Sequence, residues 1–157
     1  MYWFTSDTHF NHKNIIEYCK RPFKTVEQMN EALIKKWNAK VMKDDIVFHM
    51  GDFIWKEYWN IKHRLNGTVI LIQGNHDEDN RSAIKQMTIT FNHKDWVLTH
   101  IPFEEHIPDL CLCGHVHSAW KYKKYGHKIM INVGVDVWNF EPISMKQILD
   151  FIRDEVK

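Results

Sequence analysis

Glycine and proline are scarce in this chain, at 6 and 4 of 157 residues. That excludes a collagen-like or low-complexity sequence. Long apolar runs are missing too. None exceeds four residues, as at 69–72, so no membrane-spanning helix is expected. Charge of one sign is not in excess: Lys and Arg number 21, Asp and Glu 20, and the formal charge is +1. A dedicated nucleic-acid binder is strongly basic, and this balance is not. Cysteine is limited to Cys19, Cys111 and Cys113, an odd number without the dense spacing of a disulfide framework. Cys111 and Cys113 lie two apart on an apparent strand and are expected to be small buried thiols on one face. No basic stretch and cleavable apolar core follow Met1. A cytoplasmic protein with reduced thiols and no membrane contact is the expectation.

What the chain has in quantity is histidine, 11 of its residues. Imidazole is the commonest metal ligand and a frequent acid–base group, so it matters whether these residues gather with carboxylates. The length suggests one domain over residues 1–157, with enough chain to bury a core unaided. Residues 2–6, 45–50 and 68–73 read as strands, the last covered on both faces. Between them, residues 25–42 read as a helix capped by Thr25, with Met29, Leu33, Trp37 and Val41 as its apolar stripe. Residues 58–65 read as a shorter helix. After residue 80 the pattern turns to strands: 87–91 with 95–99 as a hairpin, then 109–113, then 120–125 with 127–133 about Gly126. Ser144 and Gln147 form a capping box that opens a C-terminal helix. The expected fold is α/β, with two sheets in contact and its ligands at the strand ends.

Those strand ends carry the chemistry. The first runs into Asp7-Thr8-His9, the second into Gly51-Asp52, the third into Gly74-Asn75-His76-Asp77. Later strands end in Thr99-His100 and Gly114-His115-Val116-His117. Asp7 and His9, like His115 and His117, project to one side of an extended backbone. Glycines before Asp52, Asn75 and His115 permit sharp turns and close backbone approach. Together they offer two carboxylates, one amide oxygen and four imidazoles, a mixed N/O set that suits Mn, Fe, Zn or Ni better than Ca or Mg. Seven ligands are too many for one tetrahedral ion and suit two ions sharing a carboxylate.

The ordered set D-x-H, G-D, G-N-H-D, a lone H and G-H-x-H resembles the calcineurin-like metallophosphoesterase superfamily, in particular its small single-domain bacterial and phage members. The resemblance runs from Asp7 to His117. It implies a two-sheet β-sandwich flanked by helices in four αββα layers. It also implies two divalent cations, Mn²⁺ first among them: Asp7, His9 and His117 on one, Asn75, His100 and His115 on the other, Asp52 bridging both. His76 is then the general acid that protonates the leaving oxygen, and a metal-bridging hydroxide is the nucleophile. Asn11 and His12 are candidate substrate contacts. The implied reaction is hydrolysis of a phosphodiester or phosphomonoester of a small, nucleotide-like substrate. An interaction scaffold without catalysis and a nuclease are the alternatives. Many relatives carry a second Asp three residues after the bridging one, and it orients the histidine. Trp55 stands there instead, so His76 is expected to be held by Asp77 or a backbone carbonyl.

Other residues receive plainer readings. His49, His63, His93, His106 and His127 match no block and are read as structural. Phe10, Phe53, Trp55, Phe103 and Trp138 are read as core or wall rather than as a base-stacking platform. The alternating lysines and aromatics of residues 120–125 read as a solvated hairpin, not a nucleic-acid surface.

Overall fold

A computed structural model describes residues 1–77 and 82–156. The chain runs β1 (Tyr2–Thr5), α1 (Ile15–Tyr18), α2 (Val26–Lys40), β2 (Ile46–His49), α3 (Tyr58–Lys62), β3 (Thr68–Leu71), β4 (Gln86–Phe91), β5 (Lys94–Thr99), β6 (Leu110–Cys113), β7 (Tyr122–Tyr125), β8 (Lys128–Asn132), β9 (Ile143–Ser144) and α4 (Met145–Glu155), with a short 3₁₀ turn at Val135–Val137. One sheet has the order β3-β2-β1-β9, the other β4-β5-β6-β8-β7. β1, β2 and β3 are mutually parallel, and so are β5, β6 and β8. Parallel strands of one sheet end on the same side, which gathers their loops.

The two sheets face each other across a core of Phe4, Phe48, Met50 and Ile72 from one side and Trp96, Leu98, Leu112 and Ile131 from the other. The outer face of the first sheet is covered by helices. Met29, Leu33 and Trp37 of α2 pack with Val41 against Trp3 and Val47, as the spacing of four predicts. Thr25 caps that helix by accepting from the Gln28 amide at 3.2 Å, and the Ser144–Gln147 capping box opens α4. α4 turns Met145 and Ile148 into the inter-sheet core. Over the outer face of the second sheet, Cys111, Cys113 and Met130 meet Phe103, Ile107 and Trp120. The expected α/β sandwich is therefore present, with loop residues over that outer face.

Three local details differ from the sequence reading. β3 is an edge strand, so Val69 and Ile70 pack on the two cores and still remain half-buried. The first hairpin turns on two residues, Asn92 and His93, both at positive φ (51° and 58°), with Phe91 opposite Lys94. That is the two-residue turn whose twist suits a hairpin. In the second hairpin the lysines lie over rings: Lys121 Nζ stands 3.6 Å from the Trp138 ring centroid and Lys123 Nζ 5.2 Å from that of Trp120. The cysteines are free thiols, and Cys113 is pushed up by its hydrogen bond with Cys111 and by burial. Among the described residues no helix is long and apolar enough to cross a membrane.

Candidate metal centre

The loops after β1, β2, β3, β5, β6 and β8 meet at one end of the two sheets. Their backbone departs from the strands abruptly. Asp7, His9, Asp52, His115 and His117 all have positive φ, between 45° and 71°. A left-handed conformation at a non-glycine residue costs about 1–3 kcal/mol and persists only where the surroundings over-determine it. Here they do. Asp7 N donates to Gly51 O and His9 N to Asp52 O, both at 3.0 Å, so the first two loops run paired. The Asp77 carboxylate accepts from Asp52 N (2.7 Å), Phe53 N (3.0 Å) and Gly74 N (2.8 Å), tying the second and third loops together. Glycine is required at two close crossings. A Cβ at Gly74 would collide with the Asp52 carboxylate, and one at Gly114 with Ser6 Oγ.

The side chains converge within this frame. His9 Nε2 lies 3.4 Å from Asp52 Oδ2 and 3.9 Å from Asp7 Oδ1, His100 Nε2 3.6 Å from Asp52 Oδ2, and His117 Nε2 4.0 Å from Asp7 Oδ1. His100 Nδ1 donates to Met50 O at 2.6 Å, which leaves its Nε2 a lone pair 2.8 Å from Asn75 Oδ1, and His115 Nδ1 lies 3.0 Å from the same oxygen. Asp7, His9 and His117 form one group with metal-ligand spacing; Asp7, Asp52 and His100 form another. Asp7 Oδ1 and His9 Nε2 are buried and lack any hydrogen-bond partner. Such atoms cost about 1–3 kcal/mol each when left unsatisfied. A carboxylate oxygen and an imidazole nitrogen aimed at one point fit a divalent cation. The remaining oxygen, Asp7 Oδ2, accepts from His115 N at 2.9 Å, and Asp52 Oδ1 accepts from His76 N at 2.9 Å. Each carboxylate is thus fixed through one oxygen and presents the other.

Electrostatics follow from this crowding. Burial drives His9 far below the usual imidazole range, and Arg21 and the neighbouring imidazoles add to it, so the ring is uncharged at neutral pH and keeps one nitrogen as a lone pair. Burial also raises Asp52, against the pull of His100. His117 behaves differently. Burial opposes its charge, yet hydrogen bonds to Asp136 and Cys19 and the charge of Asp7 carry it up to about 10. A cation at Nε2 would compete with that proton.

A family model for the calcineurin-like phosphoesterase superfamily domain matches residues 2–144. The chain belongs to that superfamily. It is 39% identical over 160 residues to an uncharacterised protein of Methanocaldococcus jannaschii, covering 94% of this chain and 89% of that one. A solved structure of a protein of unknown function from Aquifex aeolicus superposes with a TM-score of 0.76 at 28% identity, covering 97% and 99% of the two chains. At the level of fold alone, it resembles Vps29 from Entamoeba histolytica (TM-score 0.52, 19% identity, 83% and 72% covered) and an archaeal phosphodiesterase (0.50, 18%, 85% and 82%).

Within this phosphoesterase domain several side chains lie elsewhere than the sequence suggested. Asp77 does not face the His76 ring, because its carboxylate is filled by three backbone amides. His76 is exposed, its ring centroid 5.8 Å from that of His9 and 5.5 Å from Trp55. The Asn11 side chain is engaged on both sides: Nδ2 donates to Lys56 O at 2.7 Å, and Oδ1 accepts from Asn30 at 2.6 Å. His12 Nδ1 stands 3.3 Å from His9 Nδ1, and its ring stacks on Trp55 at 4.3 Å. Phe10 and Phe53 are core, as read, but Trp55 is 38% exposed. His49 is buried, with Nε2 3.0 Å from Thr8 Oγ1. A cavity of about 400 Å³ opens beside Asn75 and His100, with Gln73 and Lys85 on its wall.

Two residues of the centre have no counterpart in the sequence reading. Asp136 accepts from His117 Nδ1 at 3.0 Å, which turns Nε2 toward Asp7. Arg21, 4% exposed, donates to both Asp136 oxygens (2.8 and 2.9 Å) and to the carbonyls of Asp7 and Thr8. A carboxylate behind a histidine fixes its tautomer and ring orientation. Asp136 follows a glycine just past an apolar strand, as the other blocks do, which is the one local signal that marks it.

Proposed function

We propose that this phosphoesterase domain hydrolyses a small phosphodiester or phosphomonoester with two divalent cations, and that it does so in the cytoplasm, where its thiols stay reduced. The observation that carries this reading is the orphaned pair Asp7 Oδ1 and His9 Nε2, buried among imidazoles and carboxylates. Asp7, His9 and His117 would hold one cation, Asn75, His100 and His115 the other, with Asp52 shared. The N/O donor set suits Mn²⁺ first, with Fe, Zn or Ni as further occupants. Cations held there would stabilise charge developing at phosphorus and lower the pKa of water beside it.

The chain's own residues supply the rest. Asp52, buried and fixed by the His76 amide, keeps its free oxygen between His9 and His100. Asp136 and Arg21 hold His117 in its tautomer and turn Nε2 inward. His76, exposed beside His9 with no carboxylate among the described residues orienting its ring, delivers a proton to the leaving oxygen. Two cations held by these residues would outweigh the Asp7 and Asp52 carboxylates and would favour a phosphate at the centre, although the whole chain is near neutral.

The test is a panel of phosphodiesters and phosphomonoesters assayed with added Mn²⁺, using His76→Ala as control. Turnover that needs the metal, with the variant losing turnover while keeping bound metal, supports the reading. A purified chain that binds no divalent metal and turns over no ester overturns it in favour of a scaffold.

A further inference from the structure

We infer that Trp55 is a specificity-determining shelf that stacks a planar heteroaromatic ring carried on the leaving alcohol, which makes nucleoside esters the preferred substrate class. The inference rests on the phosphoester reading above and adds which end of the substrate is recognised and by what.

The shelf is built by the loops that build the metal centre. Trp55 N donates to Phe10 O at 2.9 Å, and Phe10 bridges Ile54, so the indole is pinned beside the loop that follows β1. The His12 ring lies nearly parallel on one indole face, at 4.3 Å and 9°. His76 stands 5.5 Å from the indole and 6.5 Å from His12. Those three separations make a near-right angle at Trp55, so His76 sits at the indole edge and leaves the second face uncovered by either histidine. The indole is 38% exposed, and Tyr18, which meets the edge of His12 at 6.3 Å, is 71% exposed. An exposed, immobilised aromatic plane at the mouth of a polar centre is costly to leave bare and suited to stacking.

Position selects the occupant. If His76 protonates the leaving oxygen, the leaving alcohol lies on the His76 side, and the indole edge is the nearest aromatic surface there. Among the described residues, the departing fragment therefore meets a ring on that side. In the 120–125 hairpin, half-buried Lys121 and exposed Lys123 lie over the Trp138 and Trp120 rings rather than free in solvent. A single nucleoside fits this arrangement better than a strand.

The experiment compares two diesters with Mn²⁺: the methyl ester of thymidine 5′-phosphate and the same ester with the base removed. Cleavage that expels the 5′-alcohol gives methyl phosphate from both, so with methyl phosphate as the product followed only the ring differs. The full chain is expected to favour the base-bearing ester about tenfold in kcat/KM, within the range of base–aromatic stacking. In Trp55→Leu that ratio is expected to fall to about 1, while Trp59→Leu, an exposed ring stacked on His63 outside the centre, keeps it. Equal handling of the two esters by the full chain, or a preference retained by Trp55→Leu, overturns the inference. So does far better turnover of a single-stranded oligonucleotide with a steep salt dependence. If neither ester is hydrolysed, the phosphoester reading is what has failed. The shelf is then judged by saturation-transfer NMR with thymidine. Binding that disappears in Trp55→Leu sustains it, and no binding to the full chain ends it.

Discussion

Asp7, His9 and Asp52 stand in a buried half of the metal centre whose loops are stitched to one another through the backbone. Asn75 and His115 stand at its exposed rim, joined by their side chains. In the first half the ligand atoms are fixed from behind and lack partners in front. Asp7 Oδ1 and His9 Nε2 have none at all. In the second half Asn75 Oδ1 lies 2.8 Å from His100 Nε2 and 3.0 Å from His115 Nδ1, with Asn75 and His115 open to water. A cation entering the first half relieves a desolvation cost, whereas one entering the second gains less, because water already reaches Asn75 and His115. The two positions should therefore differ in affinity, the buried one tight and the rim one weak.

The largest expected effects come from removing the buried half. Asp7→Ala deletes a ligand and the acceptor for His115 N. Metal analysis should show the tight position lost, and turnover should fall about a thousandfold, since charge stabilisation by a bound ion amounts to several kcal/mol. A variant that keeps its tight metal would break the comparison outright. Next comes His76→Ala, expected to lower turnover about a hundredfold with both metals retained. The loss should shrink for esters whose leaving group is acidic enough to depart without a proton. A loss equal for all leaving groups would show His76 doing something other than proton delivery.

How much of this was legible in the sequence divides along similar lines. Asp7, His9, Asp52, Asn75, His100, His115 and His117 announce themselves because they follow five apolar strands directly, and strand plus ligand is a local pattern. α2 was legible for the same kind of reason, four apolar residues at one spacing. Arg21 and Asp136 were not, because the contact joins residues 115 apart in sequence and neither has a periodic neighbour to mark it. Asp77 was visible inside its block, but its work is to bind three amides from two loops, and amide direction is not written in side-chain identity. The four-residue α1 and the two-residue β9 are shorter than any period that could reveal them. Trp55 read as wall because exposure depends on what lies above a residue, which only the fold decides.

A smaller effect sharpens the contrast between the halves. Asp136→Asn removes the charge behind His117, and Asn75→Ala removes the amide oxygen at the rim. Calorimetric titration with Mn²⁺ should resolve two classes of site. Asp136→Asn should weaken the tight class by tens of fold, the usual cost of losing a carboxylate behind a ligating histidine. Asn75→Ala should weaken the other class and leave the tight one in place. If both substitutions weaken the same class, the centre is one cooperative unit and the division into halves fails.

The last expected effect concerns stability rather than binding, in the scaffold behind the buried half. His49 is fully buried against Thr8 and Phe53, and burial first, then the charge of His100, lowers it to about 3. In the unfolded chain it takes up a proton near its ordinary 6.5, whereas the folded chain refuses that proton until about pH 3. The unfolded state therefore binds more protons between those values, and stability falls as the pH drops below 6.5. The slope approaches roughly 1.4 kcal/mol per pH unit for this one group. Above 6.5 the contribution is complete and flat. His49→Gln cannot take up that proton, so its urea midpoint, measured without added metal from pH 7 to pH 4, should change less steeply than that of the parent chain. Parallel curves would mean that His49 is not held neutral by its surroundings, and that acid opens the buried half through its ligands instead.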